Sequence, residues 1–202
     1  HNIVVDSNGA LVAWGRDHHA QCAIPAGSAG DEDAICSDCD CWGGSSWGAT
    51  HLCAVTISTG VTNIKSVHAH HANYSVVLHN DGTLTAWGHN GNGQLDIPRN
   101  VQGHVEQLST GYTWMVALLD DGSVVNWGYN GWGQLNLPDV SELQNVVKIS
   151  SGSGTGHNYA LKSDGTIVGW GANNYGQLNI PDGIQGNVMD ISVGESFTVA
   201  LL

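Results

Sequence analysis

Basic residues are scarce. Lys and Arg together number 5 against 18 Asp and Glu, and the formal charge is −13. A chain this poor in cations cannot build the phosphate contacts of nucleic-acid binding, so no nucleic-acid partner is expected. Anionic membrane surfaces would repel it. Long apolar runs are missing as well: no stretch of 18 or more occurs, and no membrane insertion is expected. Charged residues make up only 11% of the chain, about half the usual share, and there is a single Phe. Catalytic signatures are equally scarce. Neither a phosphate loop nor a His-Glu-x-x-His helix occurs, so an enzyme is not expected. No signal-peptide pattern precedes His1, and the chain reads as a processed product or an excerpt.

What is abundant is glycine and tryptophan, 28 and 8 residues. Both follow from an internal repeat. Asn8-Gly9, Asp81-Gly82, Asp121-Gly122 and Asp164-Gly165 each precede a Trp-Gly pair, with the tryptophan six residues after the Asx. These tryptophans are Trp14, Trp87, Trp127 and Trp170, and a proline follows each by eleven residues, at Pro25, Pro98, Pro138 and Pro181. Three copies add Gly93-Gln94, Gly133-Gln134 and Gly176-Gln177, while the first has Ala20-Gln21. Spacings of 40 residues from Trp87 to Trp127 and 43 to Trp170 suit one blade of a four-stranded β-propeller. In the last copy, strands are predicted over 146–150, 157–162, 166–170 and 177–180, with Asp164-Gly165 as a hairpin turn. Aliphatic residues occupy both faces of the third strand, as expected for a sheet packed between sheets. The glycine after each tryptophan suits a close backbone approach. The four repeat tryptophans are expected to be structural.

Gly154-x-x-His157-x-x-Ala160-Leu161, then Asp164-Gly165, then Trp170-Gly171-x-Asn173-x-x-Gly176-Gln177, resembles the regulator of chromosome condensation repeat family. The short period and the Gln-x-x-x-Pro ending look most like the bacterial branch that includes β-lactamase inhibitor protein II. The resemblance covers residues 66–202 and 1–25, and poorly 26–65. It implies an all-β propeller, seven-bladed in the family. Residues 1–202 read as a single propeller region with four clear repeats. His1-Asn2-Ile3-Val4-Val5 and Phe197–Leu201 both align with the 157–161 strand. The expectation is an incomplete propeller, either a part of a larger one or a ring completed by other copies or chains. A small closed ring with overlapping strands is the alternative.

The repeat breaks between Trp14 and Trp87. Residues 26–65 read as a degenerate, shortened blade or a cysteine-rich insertion. Four of the five cysteines lie there: Cys36, Cys39, Cys41 and Cys53, with Cys22 nearby. They are candidates for disulfides in an oxidising compartment or, with His51, for zinc. The acids around them (Asp31, Glu32, Asp33, Asp38, Asp40) could suit calcium but lack the usual loop pattern. No cofactor is otherwise expected. His157 stands where other copies have Tyr74, Trp114 and Phe197, which argues for packing.

The turns after Trp-Gly vary while the scaffold positions are held, as binding loops on a rigid frame do. Tyr112, Tyr129, Trp132, Tyr175 and His89 are the interface candidates, because exposed aromatics anchor protein interfaces. The expected function is a non-catalytic protein-binding or structural module, secreted or extracellular or on a particle surface, with a protein or other copies of itself as partner. The family alternatives are a guanine-nucleotide exchange factor for a small GTPase, or a protein inhibitor of an enzyme such as a β-lactamase.

Overall fold

The computed structural model describes residues 1–7, 9–15, 53–57, 63–70 and 72–202, and these hold strands and turns with no helix. The chain divides into two compact units, 1–80 with 85–89 and 81–84 with 90–202.

In the first unit, β1 (Asn2–Val5), β2 (Leu11–Gly15) and β3 (Cys53–Ile57) form one antiparallel sheet in that order. A second sheet consists of β4 (Ile64–His70), β5 (Tyr74–His79) and β6 (Leu84–Gly88). Ile3, Leu11 and Ala13 pack against Val77 and Trp87, so the core lies between the two sheets. From the 26–65 region the described part is β3, paired to β2 with Ala13 opposite Val55, together with the start of β4. Cys53 opens β3. Cys22, Cys36, Cys39 and Cys41 lie outside the described residues.

The second unit repeats the arrangement. β7 (Val105–Thr110), β8 (Trp114–Leu119) and β9 (Val124–Gly128) form one sheet, and β10 (Val146–Ser151), β11 (His157–Lys162) and β12 (Ile167–Gly171) the next. β13 (Asp190–Val193) and β14 (Thr198–Leu201) pair alone. Every residue of β8 is buried, since both faces of its sheet are apolar and covered. One core layer holds Val116, Leu118 and Val124 against Ile149, Ala160 and Trp170. A second holds Tyr159, Leu161 and Ile167 against Val188 and Ile191.

The expected fourth strand is absent: the described sheets have at most three strands, and residues 177–180 form a turn and irregular chain. The reason is the Asn-x-x-Gly-Gln motif. Asn173 Oδ1 accepts from the Leu178 amide at 2.9 Å, and the Asn179 amide donates to Gly176 O at 2.9 Å. With those amides satisfied locally, no ladder is available to a strand. The outer edge of β12 is closed differently. Gln185 Oε1 accepts from Ile167 N at 2.8 Å and Gln185 Nε2 donates to Ile167 O at 2.9 Å. One side-chain amide thus replaces one residue of a strand. Gln102 makes the same pair with Leu84, at 2.8 and 3.0 Å.

Both glutamines precede a glycine whose backbone docks on the Asp-Gly hairpin. Gly186 and Val188 amides donate to Gly165 O, and Gly103 and Val105 amides to Gly82 O. A side chain at Gly165, φ +76°, would bring Cβ within 2.8 Å of the Gly186 carbonyl carbon. At Gly122, φ +82°, nothing lies within 4 Å of that position. Gly122→Ala therefore loses about 1–2 kcal/mol from its left-handed backbone alone. Gly165→Ala loses about 1–3 kcal/mol more, because the docked backbone must move. Urea unfolding of the two variants measures the difference, and equal losses would refute the docking role.

Candidate functional site

The antiparallel register fixes which turns share an end of the second unit. Trp114 lies opposite Gly128 and His157 opposite Gly171. The 111–113 turn therefore meets the segment after β9, where the Tyr129 amide donates to Thr113 O at 2.9 Å. Likewise the Ala172 amide donates to Gly156 O at 3.0 Å. The Asp-Gly hairpins lie at the opposite end.

The three described turns after Trp-Gly, those following Gly88, Gly128 and Gly171, are built the same way from within. Asn90, Asn130 and Asn173 accept the amides of Leu95, Leu135 and Leu178 at 2.8, 2.8 and 2.9 Å. Their Nδ2 groups donate to Asp96, Asn136 and Asn179. Gln94, Gln134 and Gln177 accept, through Oε1, the amides of Asn92, Trp132 and Tyr175. The repeat glutamine is thus a turn-former, buried in all three copies. Its carbonyl also accepts the indole N–H of the next repeat: Trp127 Nε1 donates to Gln94 O at 3.0 Å and Trp170 Nε1 to Gln134 O at 3.1 Å. Asn158 Nδ2 and Asn126 Nδ2 donate to that same Gln134 carbonyl, and Asn158 Oδ1 accepts from Trp114 Nε1 at 2.7 Å. Trp87, Trp127 and Trp170 are buried, which fits the structural role expected of them; Trp14 is half-buried.

On these rigid turns the variable residues point outward. Tyr175 is 74% exposed, Trp132 45% and Tyr112 40%. Tyr129 meets Trp132 edge to face, ring centroids 5.3 Å apart. Trp132 also lies over Gly156, whose Cβ position is 3.0 Å from Trp132 Cε3, so the indole bridges from one sheet's turn to the next sheet's loop. Phe197, exposed at the same end and not expected from the turn pattern, adds a further aromatic. Its loop is tied in by Thr155, whose amide and hydroxyl both donate to Glu195 O. Along the loops 111–113, 129–134, 152–156, 172–177 and 194–197, Glu195 is the one charged residue. His89, in the first unit, is half-buried and its amide donates to Asn73 O.

The opposite end carries charge. Thr166 donates to Asp164 through both its hydroxyl, at 2.6 Å, and its amide, at 3.0 Å, and these bonds hold the carboxyl below the usual range. His104 pairs with Asp120 at 3.2 Å, and Lys148 with Asp190. The first pair is largely solvated and the second partly so, and such surface contacts contribute little. His157 is buried beside Tyr159, between Thr155 and Thr198, and burial pushes its pKa down. Its place is that of a packed side chain, at a repeat position where other copies carry aromatics. Among the described residues no group of three or more His, Cys, Asp or Glu is placed to hold a metal ion.

Residues 146–177, spanning β10 to the Gly176-Gln177 turn, match the family model for the regulator of chromosome condensation (RCC1) repeat. That match covers one repeat of this chain. No curated protein matches it by sequence. Solved structures match it by fold. Prp20p from Saccharomyces cerevisiae is 19% identical, with a TM-score of 0.57 over 73% of this chain and 45% of its own. Human WBSCR16 is 20% identical, with a TM-score of 0.62 over 98% of this chain and 55% of its own. The CRINKLY ectodomain of the Arabidopsis thaliana receptor kinase ACR4 is 19% identical, with a TM-score of 0.56 over 75% and 52%. The chain spans about half the length of these structures. At such identities the likeness is one of fold, and the fold is that of a β-propeller.

Proposed function

We propose that the chain is a non-catalytic protein-binding module and that the aromatic end of the second unit is its binding surface. The observation that carries this reading is the exposure of Trp132 and Tyr175 on turns braced by the Gln134 and Gln177 side chains, with Tyr112 exposed at the same end. A turn held by its own Asn and Gln side chains presents an aromatic without losing order on binding, which favours affinity. The near absence of charge along these loops matches the composition of interface cores. Prp20p, the yeast RCC1, is described by its binding to Gsp1p and histones and by its complex with Kap60, all of them proteins. The partner class here is a protein with an uncharged, apolar-centred patch, met in an extracellular setting or on a particle surface.

Trp132→Ala combined with Tyr175→Ala tests this. The protein partner recovered with the unaltered chain, then purified, is expected to bind the double variant at least tenfold more weakly by calorimetry, with the unfolding midpoint little changed. Undiminished affinity would place the interface elsewhere. A rise in nucleotide release from a small GTPase would replace this reading with an exchange factor.

A further inference from the structure

Three Asp-Gly hairpins lie in the second unit, at Asp81-Gly82, Asp121-Gly122 and Asp164-Gly165. Two of them are sealed alike. Gln102 bonds both backbone groups of Leu84, 18 residues back, and Gln185 bonds both of Ile167, also 18 back. The glycine after each glutamine, and the valine two further on, donate to the hairpin glycine. Gly103 and Val105 amides reach Gly82 O at 3.1 Å each, and Gly186 and Val188 amides reach Gly165 O at 3.0 and 3.1 Å. A Gln-Gly-x-Val segment thus closes each hairpin with four hydrogen bonds.

The hairpin in the middle of the chain is not closed. Val124 stands where Leu84 and Ile167 stand, and its amide and carbonyl point away from β8, because the Leu119 amide takes Ser123 O and the ladder alternates. Eighteen residues on is Glu142, not glutamine, and the segment 138–143 reads Pro-Asp-Val-Ser-Glu-Leu. A carboxylate accepts from an amide but has no hydrogen for a carbonyl. Glu142 is exposed, and Gln144 donates to Val140 O instead. Among the described residues no hydrogen bond of this kind reaches Val124 N, Val124 O or Gly122 O. Nothing lies within 4 Å of the Gly122 Cβ position, where at Gly82 and Gly165 a docked glycine stands 2.8 Å away. Val124 is only 8% exposed and packs with Leu143, so its two unpaired groups are costly to leave unmet.

We propose that the Asp121-Gly122 hairpin is a docking socket for a Gln-Gly segment of another protein. The glutamine amide bridges Val124 N and O, and the glycine amide donates to Gly122 O. Main-chain groups at a strand edge supply the affinity. Leu143 already fills the apolar ground beside Val124, so recognition rests on the glutamine and the glycine. The ligand chemistry is the one the chain uses twice on its own hairpins. Residues 16–52 do not supply it: their one glutamine, Gln21, precedes Cys22. Nor does a second copy, whose Gln102-Gly103 and Gln185-Gly186 are engaged in its own hairpins. The socket lies at the end opposite the exposed aromatics, so it stands or falls apart from the function proposed for them.

The test uses the 202-residue chain labelled with nitrogen-15 and an end-blocked peptide of sequence 181–188, Pro-Asp-Gly-Ile-Gln-Gly-Asn-Val. Before peptide is added, the Val124 amide should exchange with solvent about tenfold faster, or more, than the Leu84 and Ile167 amides. Protection equal to theirs overturns the open socket. Added peptide should shift the amide resonances of Gly122, Ser123 and Val124, and leave those of Leu84 and Ile167 in place. A peptide with Gln185→Met, unchanged in charge, loses both side-chain bonds and should bind about tenfold more weakly. Equal binding of the two peptides, shifts away from this hairpin, or no shift at millimolar peptide overturns the docking role.

Discussion

Trp170→Ala is expected to lower stability by about 3–5 kcal/mol, the loss seen when a buried aromatic is truncated to a methyl group. Trp170 lies between two sheets, in the layer with Val116, Leu118, Val124 and Ile149. The removed ring leaves a void that two hydrogen-bonded sheets cannot close by a small shift. Its indole N–H donates to Gln134 O, but that carbonyl keeps Asn158 and Asn126 as donors. Losing the N–H therefore orphans no acceptor. Trp170→Phe isolates this: it should cost far less than the alanine variant, with about 0.5–1.5 kcal/mol assignable to the hydrogen bond. Chemical unfolding followed by tryptophan fluorescence provides the values. Equal losses from the two variants would mean that the hydrogen bond, not the packed ring, joins the sheets.

Gly171→Ala is the second large effect, about 3 kcal/mol or more. Two separate costs combine. The backbone at Gly171 has φ +102°, outside the region a residue with Cβ adopts, at about 1–3 kcal/mol. A Cβ there would also overlap Gly156 O, which is the acceptor of the Ala172 amide. Relieving the overlap pulls apart the junction between the 152–156 loop and the segment after β12, on which Trp132 rests. Thermal unfolding should fall by roughly 2–4 °C for each kcal/mol. Binding at the aromatic end should weaken in the same variant, because Trp132 loses its floor. A variant that unfolds early but binds the partner normally when folded would separate the scaffold from the site.

The Trp-Gly pair thus has two roles in adjacent residues. The tryptophan joins its sheet to the one before, and the glycine brings two segments of its own sheet end together. That explains why the pair keeps its offset from the Asp-Gly hairpin while the exposed positions after it change. The loops are free to vary because their order comes from Asn173, Gln177 and their counterparts, not from the exposed positions between them.

Several features were legible in the residues alone. The period, the three strands of each blade, their hairpins and the buried tryptophans follow from offsets that recur in the chain. The predicted 157–162 strand is β11 itself, and 146–150 falls one residue short of β10. The fourth strand was misread because Gln177–Ile180 has the composition of a strand. Composition does not reveal that Asn173 and Gly176 capture its amides. The Gln185 and Gln102 clamps were also missed, although Pro-x-x-aliphatic-Gln-Gly recurs at 98–103 and 181–186. Spacing marks that pattern as a repeat but not what the amide reaches.

The sequence by itself determined the repeat, the strand order within it and the apolar character of both sheet faces. These are local consequences of hairpin turns, β-branched residues and period-two alternation. Only the tertiary structure decided which face meets which. Tyr159 and Val199 share a repeat position and an apolar nature, yet one is sealed and the other faces water. The difference lies wholly in whether another sheet is packed against them. Burial is a property of the neighbour, and a repeat read residue by residue does not contain its neighbour.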